Sequence, residues 1–196
     1  MGSREIIMRN IFFLAMLFLG KLQAEEPEPL PKSIYEVEVK SIQGQSIPLA
    51  AYRGRVLLIV NVASQDANSV QIEQLQELYE KYLEQGLVVL AFPSNDFLNS
   101  ETQSGLELRA IYADKFQISY PLFDKVKVTG AYRAPLYVFL TSSKTNPHFC
   151  WEVEWNFTKF LVDRNGNVIA RFNTKTTPLD PHVQEAIQKA LGNAKN

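Results

Sequence analysis

The sequence predicts an α/β domain in which a central mixed β-sheet is flanked by helices. Two apolar runs rich in β-branched residues, at residues 56–62 and 87–92, are typical of central strands that are covered on both faces. Between them, apolar residues recur at helical spacing until Gly86, which is a favourable helix C-cap. This β-α-β order predicts that the two strands are parallel.

The other elements are predicted from shorter patterns. Alternating apolar and charged residues at 34–39, followed by residues 47–49, predict a β-hairpin at an edge of the sheet. Asn165 and Gly166 form a strong turn signal for a second hairpin. The remaining predicted elements are a helix at 106–116, a segment at 120–123 that returns to the sheet, a short helix at 134–140, hairpin strands at 157–162 and 168–172, and a closing amphipathic helix at 181–191. This order is a thioredoxin-like arrangement with an added N-terminal hairpin.

Composition indicates one ordinary globular domain and excludes one class of partner. The chain has 196 residues, 46% of them hydrophobic, and a formal net charge of −1. Because Lys and Arg are scattered rather than concentrated, the sequence lacks the basic face of nucleic-acid-binding proteins. No nucleic acid partner is expected.

The N-terminus has the pattern of a secretory signal peptide. Arg4 and Arg9 precede an apolar run, and Ala24 ends a plausible cleavage site. The other interpretation is an uncleaved anchor, although the run is shorter than the ~20 residues that span a bilayer. We expect a signal peptide at residues 1–24, a linker at 25–32, a domain at 33–196, a secreted or periplasmic location, and no stable membrane insertion after cleavage.

The single cysteine, Cys150, cannot form an intramolecular disulfide. Its two interpretations are a small buried or bystander residue and a reactive thiol. His148 and His182 are isolated and lack the spacing of metal ligands. No metal or cofactor is expected.

Several separated blocks of the sequence share the pattern of one family. The segment VNVASQDANSVQ at residues 60–71 resembles the active-site segment of glutathione peroxidases, with Asp66 where that family has cysteine or selenocysteine. The segment LAFPSNDF at 90–97 resembles the second signature of the family, with Asp96 in place of glutamine and Ser94 at a frequent cysteine position. Residues 123–130 and 134–137 resemble its middle blocks, and WNFTKFLVDRNG at 155–166 matches its third signature.

The resemblance implies which residues form the site. The thiol or selenol, glutamine, tryptophan and asparagine of the family correspond to Asp66, Asp96, Trp155 and Asn156. In relatives that use thioredoxin, a resolving cysteine occupies a position near Ala113. The sequence therefore keeps the two hydrogen-bond donors of the site but none of its thiols.

The functions that follow belong to different classes. The resemblance implies reduction of hydroperoxides, with glutathione or a thioredoxin-like protein as thiol donor. A carboxylate cannot pass through the sulfur redox cycle, so the residues favour a non-catalytic binding or scaffolding protein with an exported protein partner. The alternatives are residual peroxidase activity, through Cys150 or an unrecognised mechanism, and acid–base hydrolysis by Asp66 and Asp96.

Two interpretations of Asp66 remain open. It either caps the helix that begins near Ser69, or serves as a fixed anion that accepts hydrogen bonds from Trp155 and Asn156. Asp66 and Asp96 either share a proton or a cation, or are solvated separately. Asn156-Phe157-Thr158 also satisfies the N-glycosylation pattern, but its place at a predicted strand argues against a glycan.

Overall fold

The computed structural model describes residues 30–192. The predicted signal peptide and most of the predicted linker lie outside the described residues. The strands are β1 (Glu38–Lys40), β2 (Ser46–Pro48), β3 (Val56–Val62), β4 (Leu87–Pro93), β5 (Lys159–Val162) and β6 (Val168–Phe172). The helices are α1 (Val70–Tyr82), α2 (Gly105–Ala110), α3 (Pro135–Thr141) and α4 (Pro181–Leu191).

The central sheet has the strand order β4-β3-β5-β6. Strand β3 pairs parallel with β4 and antiparallel with β5, which in turn pairs antiparallel with β6. The fold is therefore thioredoxin-like, with a mixed sheet as predicted. The Asn-Gly turn between β5 and β6 is also present, and Gly166 adopts φ 89° there.

Alternation along β3 builds a hydrophobic core on each face of the sheet. Val56, Leu58 and Val60 pack with α1, α2 and α4, whereas Leu57 and Ile59 pack with α3 and the N-terminal segment. A strand buried on both faces explains why the run at residues 56–62 is almost entirely apolar. Asn61 is its one polar residue, and it is fully buried.

Three local predictions need correction. Residues Ile34–Glu36 form a 3₁₀ turn rather than the start of a strand, because the Val37 amide turns back to the Ile34 carbonyl. The N-terminal hairpin forms its own two-stranded sheet instead of an edge of the central one. Helix α2 ends at Ala110 and continues as a π-helical turn over Ile111–Lys115, so the predicted helix at 106–116 is α-helical only in its first part. The segment at 120–123 does return to the sheet as predicted, through an isolated parallel bridge between Leu122 and Ala91.

No helix within residues 30–192 combines the length and the apolar composition that a membrane span requires. The long apolar segments of this part of the chain are strands and helices of the two cores.

Candidate functional site

The site is built around the carboxylate of Asp66, in the turn that connects β3 to α1. The side chain is 7% exposed. Oδ1 accepts hydrogen bonds from the backbone and side-chain N–H groups of Asn68, both at 2.8 Å. Oδ2 accepts from Trp155 Nε1 at 3.1 Å and from Asn156 Nδ2 at 3.0 Å. All four donors are nitrogen atoms, and together they form an anion site.

These contacts set the ionisation of Asp66. Burial by itself would raise the pKa of the carboxyl group, because it disfavours the charged form. The hydrogen bonds from Asn156, Asn68 and Trp155 outweigh burial, and the pKa of Asp66 lies below its ordinary value. The carboxylate is therefore a permanent anion at neutral pH.

Asp66 does not cap helix α1. The helix begins at Val70, and its N-cap residue, Ser69, makes no side-chain capping bond. The side chain of Asp66 instead bonds the amide of Asn68, two residues further on, which is the geometry of an Asx turn. The structure thus favours the second interpretation, in which Trp155 and Asn156 donate to a fixed anion.

A buried scaffold positions Trp155 and Asn156 just before β5. The side chain of Asn61 donates to the Trp155 carbonyl at 3.1 Å and accepts from the Thr158 amide at 3.1 Å. The next residue, Phe157, adopts the left-handed conformation with φ 63°. A β3 residue therefore holds both ends of the turn that carries the two donors.

Asp96 is turned towards a different part of the chain. Its Oδ2 accepts from the amides of Val128 and Thr129 at 2.6 and 3.1 Å, and from the Thr129 hydroxyl at 3.3 Å. None of the residues that donate hydrogen bonds to Asp66 also donates to Asp96. No hydrogen bond within residues 30–192 links Asp66 to Asp96, and Asp96 is partly exposed. This geometry favours separate carboxylates over a shared proton or cation.

The described residues provide neither a metal site nor a pair of catalytic carboxylates. Within the part of the chain that the structure describes, no group of three or more His, Cys, Asp or Glu residues lies close enough together to hold a metal ion. Because Asp66 and Asp96 are held by separate donors, the geometry does not support acid–base hydrolysis by this pair.

The neighbourhoods of the other predicted positions differ. Phe97, next to Asp96, places its ring 5.3 Å from that of Trp155, which shields one side of the indole. Ser94 is fully buried, and its amide donates to the Val62 carbonyl at 3.0 Å. Ala113 is exposed, in the π-helical turn.

The hydrogen bond of Cys150 lies within its own loop. Its Sγ lies 3.6 Å from the Pro147 carbonyl oxygen, within the same loop, and the residue is partly exposed. The four donors to Asp66 come from other residues, and the thiol is not among the groups that contact the carboxylate. The sequon residue Asn156 is fully buried and bonded to Asp66, which leaves no room for a glycan in the folded protein.

Two buried ionisable residues near the site were missed by sequence reasoning. Glu101 is fully buried, and its carboxylate accepts from the Ser64 amide, the Ser64 hydroxyl and the Tyr112 hydroxyl, each at 2.8 Å. Lys159 is also fully buried, and its Nζ donates to the Phe157 carbonyl at 2.6 Å and the Asn173 carbonyl at 3.3 Å. The burial of Lys159 could have been predicted, because its charge lies inside the apolar run of β5. The burial of Glu101 could not, because the residues before it form a polar loop.

Burial has a large effect on Lys159. Its hydrogen-bond partners among the described residues are backbone carbonyls rather than carboxylates, and desolvation by burial lowers the pKa of the amine to about 7. The lysine still ties the Phe157 backbone to the end of β6, directly behind the Trp155–Asn156 turn.

An open cleft of about 490 Å³ lies beside the indole of Trp155. Its walls come from the turn before α1, the turn before β5 and the residues at the end of β6. The lining side chains include both positive and negative charges. The lining residues are Asn68, Glu154, Trp155, Thr158, Arg171, Asn173, Thr174 and Lys175.

Comparison with known proteins identifies the family. Residues 34–141 match the family model described as glutathione peroxidase. A probable phospholipid hydroperoxide glutathione peroxidase from Nicotiana sylvestris is 46% identical over 163 residues, which is 83% of this chain and 95% of that protein. The chain belongs to the glutathione peroxidase family.

Solved structures agree with this assignment. The crystal structure of T. cruzi GPX1 aligns with a TM-score of 0.65 and 32% identity, over 84% of this chain and 99% of that one. A thioredoxin-family thiol:disulfide interchange protein from Chlorobium tepidum aligns with a TM-score of 0.57, over 85% of this chain and 100% of that one, and at 14% identity shows the fold alone. This glutathione peroxidase family member thus has the thioredoxin-like fold that its sequence predicted.

Proposed function

We propose that this family member no longer reduces hydroperoxides and instead binds a protein partner through the surface around the Asp66 site. The observation that carries the proposal is the Asp66 carboxylate, which occupies the place that the sequence resemblance gives to the family's reactive sulfur. A carboxylate oxygen cannot attack a peroxide and be regenerated by thiols as a thiolate can. The family's hydroperoxide substrate would then meet no nucleophile that attacks it. The thiol donor would have no oxidised sulfur to reduce.

The hydrogen bonds to Asp66 support this proposal. Trp155 and Asn156 donate to a carboxylate oxygen at ordinary distances, and Asn68 occupies the other oxygen. The donor side of the site is therefore complete with a carboxylate in it, and the depressed pKa of Asp66 matches an environment that favours an anion. The site is organised as a stable structural centre.

Exposed apolar side chains support a protein partner. Tyr132 is 85% exposed and Trp151 is 61% exposed. Their loops are joined by an ion pair between Arg133 and Glu152 at 3.0 Å. Leu98, 81% exposed, follows the Phe97 that packs on Trp155. Tyr and Trp side chains that are exposed on loops fixed by such contacts are typical of the central residues of protein interfaces.

A peroxide-reduction assay tests the loss of catalysis. The wild-type protein is compared with Asp66→Cys and with Asp66→Cys combined with Asp96→Gln, each with glutathione and with thioredoxin as donor. We expect no turnover above background in the wild type and measurable turnover in the double variant, because the donors to residue 66 are in place. Cys150→Ser, introduced into every background, is the control for the native thiol. Wild-type turnover that disappears with Cys150→Ser would contradict the proposal.

A capture experiment tests the binding role. The protein is used as bait in an extract of its own host, beside the variant Tyr132→Ser combined with Trp151→Ser. The matched control is Ile169→Ser, an apolar residue on β6 that is 40% exposed. We expect one partner to be retained by the wild type and by the control but lost with the double variant. Equal recovery on all three baits would rule out this surface.

We further propose that the partner is met outside the cytoplasm. The support is the basic and apolar N-terminal pattern that ends at Ala24. N-terminal sequencing of the protein purified from its host is expected to begin at Glu25. A protein that retains Met1 in the cytoplasmic fraction would contradict this location.

A further inference from the structure

Strand β6 forms an open edge of the central sheet. It is the last strand in the order β4-β3-β5-β6, and no segment of residues 30–192 other than β5 pairs with it. The opposite edge is covered, because the Ala91 amide of β4 donates to the Pro121 carbonyl and the Phe123 amide donates to the Ala91 carbonyl, both at 3.0 Å. On β6, the backbone N–H and C=O groups that point away from β5 are therefore available to a further strand.

The side chains of β6 do not protect this edge. Edge strands commonly carry Lys, Pro or another charged residue that prevents pairing with a further strand. Arg171 is the single charged residue of β6, and its guanidinium donates to the Trp151 and Glu152 carbonyls at 2.7 and 2.6 Å. The charge is thus held against a loop of its own chain. Ile169, in the same strand, is 40% exposed.

An open cleft of about 590 Å³ lies along this edge, between β6 and α4. Its apolar lining residues are Ile169 and Ala170 from the strand and Ala186 and Ala190 from the helix. The charged residues that line it have both signs: Asp163, Arg164 and Lys189. A face with both signs of charge can meet a copy of itself without net repulsion.

The open strand and the mixed charge of its cleft define one occupant. We propose that β6 pairs antiparallel with β6 of a second copy of this chain, so that a twofold axis joins two central sheets in a dimer. Two identical strands of residues 168–172 pair over their full length only when Ala170 lies opposite its own counterpart, with Ile169 opposite Arg171. One short strand gives a small interface, so we expect a weak dimer that dissociates on dilution.

Sedimentation equilibrium of the purified protein, measured over a range of concentrations, tests the dimer. Ile169→Lys places a lysine opposite Arg171, and like charges directly opposite each other destabilise strand pairing. We expect the dissociation constant of the dimer to rise by about tenfold or more in this variant. The matched control is Leu106→Lys, which adds the same charge at a 73% exposed position on α2 and should leave the constant unchanged.

Cysteine cross-linking tests the register of the two strands. In a Cys150→Ser background, Ala170→Cys places two thiols directly opposite each other, within the range of about 4.4–6.8 Å between Cα atoms that a disulfide spans. We expect diamide to oxidise this pair of thiols to a disulfide-linked dimer. Val168→Cys is the control, because its counterpart lies about 13 Å away along the strand and is out of reach.

Two results would overturn the proposed dimer. One is a wild-type protein that stays monomeric at every concentration. The other is a dimer that Ile169→Lys leaves intact, since the two copies would then meet through another face. A cross-link through Val168→Cys but not through Ala170→Cys would contradict the symmetric register.

Discussion

The indole N–H of Trp155 donates to Oδ2 of Asp66 across 3.1 Å, although the two residues are 89 positions apart in the chain. The contact joins the turn after β3 to the turn before β5. Together with the Asn156 amide, it fixes the carboxylate that stands at the centre of the site. The stability of this centre and the ionisation of Asp66 are therefore coupled, and both can be measured.

Trp155→Phe should raise the pKa of Asp66 towards its ordinary value, because one of the four donors is removed. It should also lower the free energy of unfolding by about 1.5–3 kcal/mol, the contribution of one hydrogen bond to a charged group. The pKa is read from the ¹³C shift of the carboxyl group during an acid titration. Trp151→Phe is the matched control, because this indole is 61% exposed and makes no bond to Asp66. An unchanged Asp66 titration in Trp155→Phe would contradict the geometry.

Asp66→Asn should destabilise the protein at pH 7 by about 1–3 kcal/mol, since an NH₂ group would then face N–H donors. The pKa of Asp66 is lower in the folded state than in the unfolded state. The unfolded state therefore takes up the proton first, so the contribution of Asp66 is present above about pH 4 and is lost as the pH falls through the folded pKa. Urea unfolding between pH 7 and 2.5 should show the two proteins converging in stability at acid pH. The exposed Asp114→Asn serves as the control and should behave as wild type.

Lys159→Met should change how stability depends on alkaline pH. The pKa of Lys159 is lowered to about 7 in the fold, whereas an unfolded lysine titrates near pH 10.4. Between these values the unfolded state holds the extra proton, so wild-type stability rises with pH by at most about 1.4 kcal/mol per pH unit. The variant should lose this rise between pH 7 and 9.5, as measured by urea unfolding. Lys144→Met, at an exposed position, should retain it.

Glu101→Gln should be more destabilising than Tyr112→Phe, although both change the same network. The glutamine places an amide donor against the donors of Ser64, whereas the phenylalanine removes only one hydroxyl from Glu101. We expect losses of about 2–4 kcal/mol and about 1 kcal/mol respectively in the free energy of unfolding. Because Ser64 lies in the turn that holds Asp66, the Asp66 titration should also shift in Glu101→Gln. Equal losses in the two variants would indicate that Glu101 is not the centre of the network.

Sequence patterns predicted well those regular elements that depend on interactions between residues close together in the chain. The β3 run, the Gly86 cap with φ 105° and the Asn165-Gly166 turn depend on neighbouring residues, and all three are present. The start of the N-terminal hairpin was mispredicted, because the alternating pattern of residues 34–39 also fits a 3₁₀ turn that packs Ile34 and Tyr35 into the core. Periodicity alone did not distinguish these two structures.

The candidate site was predictable only in part. Asp66, Trp155 and Asn156 were named from the sequence, and the structure brings the three together. Asp96 was placed in the same group, but the amides of Val128 and Thr129 hold its carboxylate. Nothing in the residues around Asp96 specifies that loop, which approaches from more than thirty positions further along the chain.

The sequence by itself determined the fold class, the family and the residue that stands at the centre of the site, because these depend on the order and identity of side chains. The tertiary structure decided which groups those side chains meet. The burial of Lys159 against backbone carbonyls and the hydrogen-bond network around Glu101 result from segments that are distant in sequence and packed together in space. Asp66 depends on both levels. The sequence shows that an aspartate stands at this position, and the fold supplies the hydrogen-bond donors that lower its pKa.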